Sequence, residues 1–107
     1  MTLPFTDELP LAGAFRDWLA TLPEDGNVGV AGQGDACPLA CYLARLGVAD
    51  PYVSTNLLHM NGYQRTPSEW MVAFTHHIDK LPPEEVPVAA ALKIIDSVIA
   101  GTLRREL

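Results

Sequence analysis

Gly34-Asp35-Ala36-Cys37-Pro38-Leu39-Ala40-Cys41-Tyr42-Leu43-Ala44-Arg45-Leu46-Gly47 reads as a buried helix with both ends marked. Asp35 or Cys37 is placed to cap its start, and Pro38 fits only a first helical turn, where no backbone donor is needed. Gly47 follows the last apolar residue, where a left-handed C′ position is favoured. Leu39, Tyr42, Leu43 and Leu46 recur at helical spacing, while Cys37, Ala40, Cys41 and Ala44 form a small-residue face opposite. Only Arg45 carries a charge between positions 36 and 48. A helix apolar nearly all round must be enclosed by the rest of the chain, so the fold is built around it.

Outward from this centre, the other elements are predicted by period and punctuation. Toward the N-terminus, Leu11, Phe15, Trp18, Leu19 and Leu22 predict an amphipathic helix over residues 11–22. Residues 27–36 interleave Val28 and Val30 with Gly29, Gly32 and Gly34, predicting a short extended segment and a loop. Toward the C-terminus, residues 53–60 and 63–65 flank Asn61-Gly62, the signature of a two-residue type I′ hairpin. Thr66-Pro67-Ser68-Glu69 predicts a capping box opening a helix to about residue 81, with Trp70, Phe74, His77, Ile78 and Leu81 on one face. Pro82-Pro83 breaks that helix. A last helix is predicted from residues 84–87 to Arg105, with a wide apolar arc through Val88, Ala91, Leu92, Ile95, Val98, Ile99 and Leu103 and Ile94 at its edge. The expectation is one α+β domain over residues 1–107, mainly helical, with about four helices and a small β-hairpin. Trp18, Leu39, Leu43, Trp70, Phe74, Ile95 and Ile99 are its expected core.

A sequence of 107 residues, 49% apolar and 19% charged, is too hydrophobic for intrinsic disorder and too short for a Rossmann or barrel enzyme. Thirteen acidic and seven basic residues give a formal charge of −6, which opposes binding to a nucleic-acid backbone. No apolar run approaches a membrane span, and the N-terminus lacks the basic and apolar regions of a signal peptide. Two cysteines do not make a disulfide framework, so a cytoplasmic protein is expected.

Cys37 is the candidate for nucleophilic or redox chemistry, because a thiol in a first helical turn meets free N–H groups and the positive end of the helix dipole. Asp35 opposes thiolate formation, and Cys41 one turn on is poorly placed for a disulfide. The glycines at 29, 32 and 34 before a helix suggest a phosphate cradle only superficially, since no Lys-Ser/Thr pair follows them. His59, His76 and His77 lack metal-ligand spacing, and no cofactor or metal is expected. Ser54, His76 and Asp79 match a hydrolytic triad by composition, without a nucleophile elbow.

Short bacterial and phage-type proteins share a Cys-Pro-(Ile or Leu)-Ala helix start, a short strand, and a helix of the form Pro-x2-Trp-x3-Phe-x3-(Ile or Val)-Asp. This chain resembles them in Cys37, Pro38, Leu39, Ala40 and Leu43, then in Pro67, Trp70, Phe74, Ile78 and Asp79, over residues 28–81. The resemblance implies the fold and no reaction.

Charge and the last helix say most about function. Residues 7–35 hold six acidic side chains and one basic, Arg16, making either a solvated face or a contact surface for a basic partner. Ile94, Val98 and Leu103 offer an apolar ridge that a second copy of the chain would cover. The expectation is a small interaction module without catalytic activity, a homodimer or the binder of another protein. A thiol-dependent protein using Cys37 and an acidic inhibitor mimicking nucleic acid are the alternatives.

Overall fold

The computed structural model describes residues 11–101. Four helices, α1 (Ala12–Leu19), α2 (Pro38–Arg45), α3 (Glu69–Ile78) and α4 (Val88–Ala100), are joined by five short strands. The strands are β1 (Asn27–Val30), β2 (Tyr52–Val53), β3 (Leu58–Met60), β4 (Tyr63–Arg65) and β5 (Glu85–Pro87). The class is α+β, and the strands form two antiparallel sheets, β1-β5 and β2-β3-β4, where a lone hairpin was expected.

α2 occupies the centre, with Leu39, Ala40, Tyr42 and Leu43 all buried. Its N-cap is Cys37, and Gly47 past its end adopts φ 95°, as the sequence predicts. Phe15 of α1 is the point where three helices meet. Its ring lies 5.2 Å from Tyr42 of α2 and 5.0 Å edge-on from Phe74 of α3, with Trp70 at 5.6 Å. Such offset and edge-to-face pairs add to the energy of burial. Leu39, Leu43, Phe74 and Ile95 are buried as expected, while Trp18 and Trp70 are half-buried against the same core. Ile99 departs from expectation: it is 50% exposed, because the apolar arc of α4 is wider than the surface its neighbours cover.

The Asn61-Gly62 turn has positive φ at both residues, the type I′ geometry, and pairs Met60 with Tyr63. The extended run at 53–60 is not one strand. Ser54 Oγ accepts the N–H groups of Asn56 and Leu57, turning the chain so that β2 pairs back onto β3.

Several helix ends differ from those the sequence predicts. The capping box at Thr66 does not form: Ser68 is the N-cap and Glu69 the first helical residue, without a side-chain capping bond. Pro67 and Val72, both buried, stand at the N′ and N4 positions, where a hydrophobic staple places its two apolar residues, and the helix starts two residues later than predicted. The last helix is shorter than predicted at both ends. Glu85-Val86-Pro87 is strand, paired with β1, and Gly101 in the left-handed region at φ 81° closes α4. Leu103, Arg104 and Arg105 lie outside the described residues. α1 likewise ends at Leu19, and its last turn tightens through Thr21 and Leu22 N–H bonds to Trp18 and Leu19.

The β1-β5 ladder carries a bulge on β1, with Asn27 opposite Pro87 and Val30 opposite Glu85. Gly29 at φ 72° sits in the bulge, and a Cβ there would lie 2.5 Å from the Ala36 carbonyl oxygen and 2.8 Å from the Pro38 nitrogen. β1 therefore rests directly on the start of α2, and only glycine permits that approach. α1 packs on α4, where Arg16 Nε bonds Asp96 Oδ1 at 2.9 Å, and the Val88 N–H at the start of α4 bonds the Gly26 carbonyl at 2.9 Å.

Candidate functional site

Cys37 lies under the glycine loop at the start of α2, 4% exposed. Its thiol points to the Gly34 carbonyl oxygen at 3.8 Å, and Cys41 Sγ to the Ala36 carbonyl oxygen at 3.6 Å. Two effects compete for the Cys37 proton. The N–H groups of Ala40 and Leu39 favour the thiolate, as the first turn of a helix should, but burial opposes it and prevails. The charge of Asp79 adds to burial, and the thiol is pushed up from 9.0 to about 11. Cys41 is raised for the same first reason, burial. Both cysteines are free.

Asp79, just past the C-terminus of α3, joins this region. Burial raises its carboxyl above the ordinary value, against the Gly32 N–H and the charge of His76, which lower it. Asp79 thus ties the end of α3 to the glycine loop, a contact that sequence spacing did not reveal because 42 to 47 residues separate the partners. The rings of His76 and His77 stand edge to face at 5.2 Å. Ser54, Asp79 and His76 do not form a triad around a nucleophile, since the Ser54 hydroxyl is held by its own turn, accepting from Leu57 N at 3.0 Å. His59 Nδ1 lies 3.2 Å from the Asp50 carbonyl oxygen. Among the described residues, no three His, Cys, Asp or Glu side chains are placed to hold a metal ion.

The glycine loop is a packing device. The Val30 N–H bonds the Ala36 carbonyl at 2.8 Å, and Gly29 covers the peptide groups from Ala36 to Pro38, so the chain itself occupies the ground a phosphate would take. At Gly34 a Cβ would meet the Tyr52 ring at 2.6 Å, and the Gly34 carbonyl accepts the Val53 N–H at 2.9 Å, docking β2 onto the loop.

On α4, Ile94 and Val98 are half-buried and packed against the core. The exposed apolar side chains on the helical side of the molecule are Ile99, 50% exposed, and Leu11, 74% exposed. No described helix is long and apolar enough to cross a membrane. The chain matches no protein-family model, no curated protein and no solved structure.

Proposed function

We propose that this chain is a small cytoplasmic interaction module without catalytic activity, which self-associates through the α1–α4 pair. The observation that carries this reading is the exposure of Ile99 of α4 and of Leu11 at the start of α1, two large aliphatic side chains on a pair of packed helices. A two-fold axis across this patch covers Ile99 of both copies. The thiol-dependent alternative is disfavoured by a Cys37 sulfur that is enclosed and held protonated. Two unpaired cysteines suit a reducing compartment. The acidic alternative draws support from Asp17, Glu24, Asp25 and Asp35, all exposed.

Light scattering on the wild type and on Ile99→Glu tests the reading. The wild type is expected to dimerise at tens of micromolar, a concentration at which a modest interface of about −6 kcal/mol is populated. Ile99→Glu is expected to remain folded, being at an exposed site, and to be monomeric. Equal masses for the two proteins would refute self-association at this face.

A further inference from the structure

We infer that the outer edge of β5 is a second binding site, taking a short extended segment of a partner protein that carries an apolar side chain next to a basic one. The hydrogen bonding of the β1-β5 sheet fixes which backbone groups point where. The Ala31 N–H bonds the Glu84 carbonyl at 3.1 Å and the Val88 N–H bonds the Gly26 carbonyl at 2.9 Å. With Val30 opposite Glu85 and Asn27 opposite Pro87, these bonds make both pairs of the widely spaced, non-hydrogen-bonded kind. The N–H and C=O of Glu85 therefore face away from β1, while the C=O of Pro87, the N-cap of α4, takes the first hydrogen bond of that helix. β1 has its own outer edge closed, since the Val30 N–H bonds Ala36, but β5 stands at the sheet's edge.

Alongside that edge runs a groove of about 310 Å³, lined by Leu81, Pro82, Val86, Pro87 and Ala90. All three residues of β5 line it, and no residue of β1 does. Its other two lining residues are Glu84 and Glu85, both exposed, and its lining includes no basic side chain. An extended segment laid there gains a complete pair of backbone bonds at Glu85, the pattern of strand addition. The apolar lining takes one side chain of the segment, and the two carboxylates select a lysine or arginine beside it. Pro82, Pro83 and Pro87 bracket the site so that only a short segment can pair, which guards the edge against indiscriminate strand association.

The site is separate from the α1–α4 patch and does not depend on self-association. Selection of the full chain against a displayed library of random heptapeptides tests it. The expected result is enrichment of sequences with Lys or Arg adjacent to Leu, Val, Ile or Phe. A labelled enriched peptide should shift the amide resonances of Glu85, Val86 and Ala90, and bind more weakly as salt is raised. Glu85→Pro removes the outward N–H without touching any bond to β1, and should lower affinity at least tenfold. Ala90→Arg, which fills the groove and repels a basic side chain, should do the same and guards against misfolding of the proline variant. No enrichment, enrichment without basic residues, or resonance shifts confined to other surfaces would overturn the inference.

Discussion

Gly29 and Gly32 adopt nearly the same left-handed conformation, yet their surroundings differ completely. A Cβ at Gly32 meets nothing within 4 Å, whereas one at Gly29 strikes the backbone at Ala36–Pro38. Gly32→Ala should therefore cost about 1–2 kcal/mol, the penalty of the conformation alone. Gly29→Ala must add displacement of β1 from α2 and should cost more than about 3 kcal/mol in urea unfolding. Equal losses would mean that the bulge does not rest on the helix. At Cys37 the pH dependence of stability gives a second test at this scale. The folded thiol, raised from 9.0 to about 11, keeps its proton where the unfolded one gives it up. Its contribution is fully present below pH 9 and is lost as pH rises from there to about 11, by roughly 2–3 kcal/mol. The difference in stability between wild type and Cys37→Ala, measured from pH 8 to pH 11, should shrink by that amount. A constant difference would place the sulfur in water. Below pH 9 an aromatic disulfide reagent should accordingly react slowly with the folded protein.

Helices and strands depend on each other through a few large side chains. Phe74 packs edge-on against Phe15, so Phe74→Ala opens a cavity where α1 and α3 meet and should cost about 3–5 kcal/mol. Near-native thermal stability in that variant would contradict the packing of these helices. The local signals in the sequence account for much of this framework. Pro38 and Gly47 delimit α2, Asn61-Gly62 makes its turn, and the 3.6-residue stripes of α1, α2 and α3 face the core. The elements that could not be read locally are those made by distant partners. β5 is three residues long and exists because Glu85 and Pro87 find Val30 and Asn27, more than fifty positions away. The start of α3 does not follow the capping-box spacing: Ser68 is its N-cap, without a side-chain bond, and Pro67 before it is buried. α4 ends at Gly101 in the left-handed conformation, although the apolar periodicity in the sequence continues to Leu103.

For the whole molecule, the same distinction separates what sequence reveals of function from what it does not. The thiol at the helix start and its burial in an apolar helix were legible, but the approach of Asp79 depends on the end of α3 reaching the glycine loop. The apolar excess of α4 was legible too, yet only the packing of α1 decides that Ile99 is the residue left in solvent. Ile94→Glu would place a carboxylate against the core and should lower stability, whereas Ile99→Glu should spare stability and change only assembly. Chemical denaturation of the two variants separates these effects. Sedimentation equilibrium of the wild type tests the association itself most directly. The mass of the chain is 11.6 kDa. The account predicts an average mass rising toward twice 11.6 kDa as concentration passes through tens of micromolar, and staying at 11.6 kDa for Ile99→Glu. A wild type that holds the single-chain mass across that range would contradict it.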